Sequence, residues 1–453
     1  MDRNDRRVVI TGLGLISPLG IGLAPNWSAL AEGRGALAKL SAFAVDGLPT
    51  DIGGEVRDFE AKRWVKALAA TPRHEKHLRK NIKYMARDIQ LAVAAAELAV
   101  VDAGLAYRGD DPAHSPLDGV DPTRIGVDLG AGLISTELDE LATAVDLSFA
   151  GAGGDFDYRT WGKEGIPLIE PIWLLKYLPN MLACHISILW DCQGPSNTIT
   201  QAEAASNVAV GEACRIIARG RADVMVSGGA DSKIHPLSLI RMSLLDQMSH
   251  WRGEPSRALR PFDRTRDGWV PGEGAGIVVL EEREHALARG GRVYGEVLGF
   301  GSGCDANPGG GLDPGGVGTE IAVRAALRDA GLRPDEIGHV NAHGAGTVAM
   351  DLAESRALGR VFGDRGVPVT ALKGYLGNIV SGCGAVELIG SLLGVNRGVI
   401  PAILNCDDPD PAIPLDLVRG APRPVADPTF LTTNLTRHGQ AAALVVRGQP
   451  GAP

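Results

Sequence analysis

The chain has 453 residues, 45% hydrophobic, 22% charged and 5% aromatic, a globular balance that excludes a disordered or fibrous protein. Its net charge of −9, from 45 Lys and Arg against 54 Asp and Glu, offers no general attraction to a polyanion, so nucleic acid is not an expected partner. At about 100–200 residues per domain, the length suits two to four units or one large α/β body made of two halves.

In chain order, the charged start runs directly into apolar residues without a signal-peptide core. No uncharged stretch reaches the roughly 18–20 residues that span a bilayer, so a cytoplasmic protein without membrane association is expected. Val8-Val-Ile-Thr-Gly-Leu-Gly-Leu-Ile-Ser-Pro-Leu-Gly20 reads as a buried strand entering a glycine loop. Its Gly12-Leu-Gly14 hints at a dinucleotide site, but the third glycine is misplaced and Pro18 interrupts the helix start, so no nucleotide is expected. Arg73 to Lys80 is basic. Residues 82–104 follow a helical pattern, 108–123 form a polar loop, and Ile125 to Gly130 is a strand. From Thr198 the alternation repeats: a strand, a helix over Ala204 to Arg219 with small residues on every face, then a strand over Asp223 to Ala230. Five arginines fall between Arg252 and Arg266. Both basic clusters are open to two readings, internal or solvated ion pairs and a landing place for a small acidic protein.

After the strand Ile277-Val-Val-Leu-Glu281 the first half ends, giving units 1–288 and 289–453. The second half starts at Val293, passes through a helix over Thr319 to Ala330 and a strand into Asn341-Ala-His-Gly344, and finishes with Ala441 to Val446. Both halves read as β-α-β-α with buried strands, an internal pseudo-repeat. The six cysteines (184, 192, 214, 304, 383, 406) lack metal spacing and lie in segments that read as core, so neither a metal site nor disulfides are expected.

Four ordered motifs then carry a resemblance: Val8-Val-Ile-Thr-Gly-Leu-Gly14, Pro261-Phe-Asp followed by Arg266-Asp-Gly-Trp-Val and Gly272-Glu-Gly-Ala-Gly276, Val340-Asn-Ala-His-Gly344, and Gly384-Ala-Val-Glu387. Together they resemble the elongating β-ketoacyl-acyl-carrier-protein synthases. The resemblance implies a thiolase-like α/β fold with five layers, α-β-α-β-α, and dimers formed through the strand beside the nucleophile helix. It also implies a cysteine nucleophile at the start of a buried helix, two histidines from the second half, and an acyl carrier protein that delivers substrate on its phosphopantetheine arm. No bound cofactor is implied.

Matched onto this chain, the nucleophile position holds Glu203 and the first histidine is His343. The second histidine position holds Asn378, whose amide can still donate to a thioester carbonyl. Lys373 and Glu387 match the supporting pair, though a purely structural ion pair reads the same way. The C-terminal glycine loop that supplies an oxyanion N–H and a gate is replaced by Asn434-Leu-Thr-Arg-His-Gly-Gln. Thr436, Arg437 and His438 there should alter its path, because glycine alone permits positive φ without strain. A carboxylate cannot carry the growing chain, since its mixed anhydride is far more labile than a thioester. Glu203 could otherwise be an ordinary acid favoured at a helix N-terminus. Cys383, Cys184 and Ser206 are expected as packing residues, neither cysteine beginning a buried helix.

The expectation is therefore a non-condensing subunit resembling the chain-length factors of type II polyketide systems, paired with a cysteine-containing ketosynthase as a heterodimer, or with itself. Two alternatives stay open: a malonyl-carrier decarboxylase that primes synthesis, with protonated Glu203 imitating an acylated cysteine, and a synthase of unconventional route.

Overall fold

β-Branched and leucine-rich runs bounded by glycine build one long sheet in the computed structural model, which describes residues 6–68, 72–107, 115–149, 154–245, 248–363 and 366–452. Its strands are β1 (Val8–Ser17), β2 (Ile125–Ala131), β3 (Ser196–Ile199), β4 (Val224–Ser232), β5 (Glu273–Glu282), β6 (Gly295–Cys304), β7 (His339–Asn341), β8 (Pro368–Thr370), β9 (Asp416–Leu417), β10 (Thr429–Leu435) and β11 (Gln440–Gly448). They lie in the order β9-β8-β7-β10-β11-β6-β1-β5-β4-β2-β3, with Gly20–Ile21 folding back on β1.

Reading outward from the central β1–β6 pair shows the pseudo-repeat directly. β1, β5 and β4 are antiparallel neighbours, then β2 and β3 continue in parallel. On the other side β6, β11 and β10 are antiparallel, then β7 and β8 continue in parallel.

The helices that complete the layers include α2 (Arg87–Asp102), α3 (Met181–Trp190), α4 (Ala205–Ala218), α5 (Val317–Ala330), α6 (Val348–Phe362) and α7 (Cys383–Asn396). A further helix, α1 (Pro72–Asn81), precedes α2. Side chains alternate across a strand, so each half-sheet feeds two cores. In β5, Ala275, Ile277 and Val279 meet α2 and α3, while Val278 and Leu280 meet α4 and α7. In β11, Ala442, Leu444 and Val446 join that same central core, while Ala441, Ala443 and Val445 pack with α5 and α6. Three apolar cores between five layers give the α-β-α-β-α arrangement.

Several sequence expectations change. Gly12 and Gly14 lie inside β1 and not in a loop; a Cβ on either would run into a backbone carbonyl of α2, Ala99 or Ala95. They are packing glycines. Cys304 is exposed, and Cys184 and Cys192 are half-buried, so the cysteines are not uniformly core. Of the loop expected at 108–123, residues 108–114 lie outside the described residues. The arginines between 252 and 266 are largely paired within the chain: Arg257 with Asp407 and Arg264 with Asp408 at the surface, buried Arg260 with Asp267, and buried Arg266 with Asp351 and Asp410. No helix among the described residues is long and apolar enough to cross a membrane.

His339 of β7 illustrates the cost of this burial. Its ring stacks on Phe430 of β10, with centroids 5.2 Å apart, and neither ring nitrogen has a hydrogen-bond partner among the described residues. Desolvation pushes its pKa down to about 3. The unfolded chain therefore takes up a proton below about pH 6.5 that the folded chain refuses, so this residue costs stability progressively as pH falls toward 3. Denaturant titrations should show His339→Leu gaining about 2 kcal/mol on wild type between pH 7.5 and 5.0. A difference that stays constant across that range would refute a neutral buried ring.

Candidate active site

Glu203 is set by the entry into α4. Ala202 adopts φ 43°, unusual for a residue with a Cβ, and a single turn over Ala202–Ala204 leads into the helix. The first turn of α4 lies directly on β2, where a Cβ on Gly130 would come within 2.5 Å of the Ser206 nitrogen. Glu203 is thereby buried, and its Oε1 accepts a hydrogen bond from Asn378 Nδ2 at 3.2 Å.

His343 sits in the turn between β7 and α6. Glu354 of α6 fixes that turn by accepting from the backbone N–H groups of His343 (2.7 Å) and Gly344 (3.0 Å) and from the Thr433 hydroxyl (2.6 Å). The wholly buried Lys373 ammonium has three acceptors for its three protons: His343 Nδ1 (3.0 Å), His343 O (2.8 Å) and Glu387 Oε1 (2.6 Å). Burial opposes the Lys373 charge, yet the Glu387 carboxylate beside it leaves the ammonium above the ordinary lysine value. Asn434 Nδ2 donates to Glu387 Oε2 (2.8 Å) and His343 Nδ1 (3.1 Å).

These contacts assign the tautomer. Both neighbours of Nδ1 are donors, so Nδ1 is the acceptor and the proton is on Nε2. Burial first, and Lys373 second, hold the His343 pKa well below the usual value, keeping the ring neutral. Nε2–H is buried and has no hydrogen-bond partner among the described residues. It is a donor held ready for an acceptor.

Asn378 and Cys383 close the other side. Asn378 Oδ1 accepts from Val380 N (3.0 Å) and the Cys383 thiol (3.1 Å). Cys383 is the first residue of α7, whose residues are all buried, which corrects the expectation that neither cysteine begins a buried helix. The helix start does not activate the sulfur, because burial pushes its thiol well above the ordinary range. Cys184 lies inside α3. Ser206 Oγ accepts from Ala385 N at 3.1 Å, joining α4 to α7.

The structure thus brings Glu203 and Asn378 into one hydrogen-bonded set and His343, Lys373 and Glu387 into another. Asn207, one turn after Glu203 in the chain, joins the second set, donating from Nδ2 to Asn434 Oδ1 at 2.8 Å. Thr436, Arg437 and His438 follow the last residue of β10. They form the tight turn between β10 and β11, with Thr436 N donating to Gln440 O (2.8 Å), Gly439 N to Thr436 O (3.0 Å), and His438 Nδ1 to Gly310 O (2.8 Å). The Thr436 N–H is therefore spent within the turn. Asn207, Asn434 and Glu354 were not singled out from sequence; the helical i, i+4 spacing from Glu203 was the available signal for Asn207.

Among the described residues no three His, Cys, Asp or Glu side chains group as metal ligands. A cavity of about 560 Å³ lined by Arg87, Asp88, Glu137, His235 and Glu273 lies apart from this site and includes none of its residues.

Comparison with known proteins agrees with this geometry. The family model "Beta-ketoacyl synthase, N-terminal domain" matches residues 5–286, and "Beta-ketoacyl synthase, C-terminal domain" matches residues 294–407. A 3-oxoacyl-[acyl-carrier-protein] synthase 2 of Vibrio cholerae is 33% identical over 432 residues, covering 95% of each chain. Among solved structures, the ishigamide ketosynthase/chain length factor superposes with a TM-score of 0.80 at 31% identity, over 98% of this chain and 99% of the other. A type II polyketide synthase acyl-carrier protein in complex with its ketosynthase bound to the hexaketide gives 0.80 at 26% identity, over 98% and 99%. With two family models spanning both halves and relatives aligned nearly end to end, the chain belongs to the β-ketoacyl synthase family.

Proposed function

We propose that this chain is a non-condensing ketosynthase subunit of fatty acid or polyketide biosynthesis, a chain-length-factor-like partner of a cysteine-containing β-ketoacyl synthase. The observation that carries the reading is Glu203: a buried carboxylate, bonded to Asn378, stands at the helix start where the acyl-carrying sulfur is expected. The thiol nearest in this network, Cys383, is held protonated by burial and is a poor nucleophile. The partner would extend the sheet at β3, whose outer edge pairs with nothing among the described residues and whose Ser196 and Asn197 are exposed. Most of the large apolar side chains left exposed lie between Leu133 and Ile188, toward the same region of the chain.

The acyl carrier protein, with its phosphopantetheine arm, would meet the basic side of α1, where Lys76, Arg79 and Lys80 are exposed beside Lys62, Arg63 and Lys66 of the preceding helix. In the cluster at 252–266 Arg260 and Arg266 are buried in ion pairs, which leaves it less suited.

Purified chain incubated with acyl-carrier and malonyl-carrier protein should show no acyl adduct by intact mass and no 3-oxo product. Glu203→Cys should gain one iodoacetamide-reactive thiol beyond the exposed Cys304 of wild type, because the helix start then presents sulfur. Unaided condensation by wild type would end the proposal.

A second reading, decarboxylation of malonyl-carrier, is favoured by one feature: the neutral His343 ring offers Nε2–H to the oxygen on which an enolate forms as carbon dioxide leaves. It expects acetyl-carrier that vanishes in His343→Ala, whereas the partner-subunit reading expects none from the isolated chain.

A further inference from the structure

Strand β2 carries an acid that nothing described in the chain neutralises. Val127, Leu129 and Ala131 enter the core beside α2 and α3, so Asp128 points to the opposite face, under α4. It is fully buried, and neither carboxylate oxygen has a hydrogen-bond partner among the described residues. Burial first, and then Glu212 of α4, push the Asp128 carboxyl up to about 7. Glu212 itself leans on Arg215 at 3.4 Å, and Arg215 covers the Phe300 ring at 4.8 Å. An unpaired carboxylate in such a place is costly, and natural interiors supply a base or a donor.

The open edge of the sheet is one strand away. Asp128 stands in parallel register with Asn197 of β3, the last strand of the sheet, and Asn197 is exposed. A strand added to that edge would lie about 10 Å from β2, two strand spacings away. The side chain of a lysine or arginine on it, together with the aspartate, spans that gap. A two-fold self-dimer instead sets a patch against its own copy, bringing a second Asp128 and a second Glu212 into the same closed seam.

We infer that Asp128 and Glu212 form an acidic seat beside the open β3 edge that takes a basic side chain from a different subunit docked there, and that discriminates against a second copy of this chain. The inference rests on the two-subunit reading and specifies that partner: a related chain presenting Lys or Arg opposite β3.

The test uses differently tagged full-length chains at pH 8, above the value of about 7 to which the Asp128 carboxyl is raised, with association constants from sedimentation velocity. Wild type should pair with Asp128→Lys at least about 10-fold more tightly than with itself. Equal or weaker pairing overturns the inference. Should Asp128→Lys not fold, the near-isosteric Asp128→Asn decides: its self-association should exceed that of wild type about 5-fold or more, and an unchanged constant overturns the inference equally. Failure of the functional reading shows elsewhere, as a 3-oxo product from the isolated chain, so the two failures are distinguishable.

Discussion

Replacing Lys373 by methionine is expected to lower the unfolding free energy by about 3–5 kcal/mol in urea titrations. The ammonium is wholly buried and neutralises Glu387 at 2.6 Å while holding His343 through Nδ1 and O. Its removal leaves Glu387 buried with one Asn434 amide as its hydrogen-bond donor, and removing one partner of a buried pair costs far more than the pair contributes. The double variant Lys373→Met, Glu387→Gln should recover a large part of the loss, a coupling of about 2 kcal/mol or more. Additive losses would show that Glu387 is not the group Lys373 neutralises.

Gly14→Ala should cost about 3 kcal/mol, near the top of the range for overpacking. The added methyl would meet the Ala95 carbonyl of α2, and both backbones are fixed, one in the central sheet and one in a buried helix. Gly359, on the exposed side of α6, is the control: a Cβ there meets nothing, so Gly359→Ala should stabilise by about 0.5–1 kcal/mol through backbone entropy alone. Should Gly14→Ala unfold at the wild-type midpoint, helix and strand are further apart than described.

Much of this architecture was legible because buried strands and helices write different periods into the chain. β2, β4, α2 and α4 fall within a few residues of where apolar runs and small-residue patterns placed them. The misreading of Gly12 and Gly14 has a physical cause: a glycine demanded by a passing helix and one demanded by a turn leave the same mark in sequence, and only the partner surface separates them. Cys383 failed similarly, since nothing local announces that Val380, at φ 52°, turns the chain into α7. For the candidate site, motif position pointed to Glu203, His343, Asn378, Lys373 and Glu387, which the structure gathers into two hydrogen-bonded sets. It could not locate Asn207 and Asn434, whose contact joins positions 227 apart in the chain, nor assign the proton to His343 Nε2, which depends on two donors from different elements.

Strand β1 bears on how the molecule is made. Val8, Val9 and Ile10 bond on one side to β5 and on the other to β6, segments that leave the ribosome only after most of the chain has been synthesised. At roughly 5–20 residues per second the first strand waits on the order of 15–50 s for its neighbours. During that interval a β-branched, nearly uncharged edge is available to any other nascent chain. The centre of the finished sheet is thus its most hazardous segment in biosynthesis, and chaperone demand should track translation speed through the first three hundred codons.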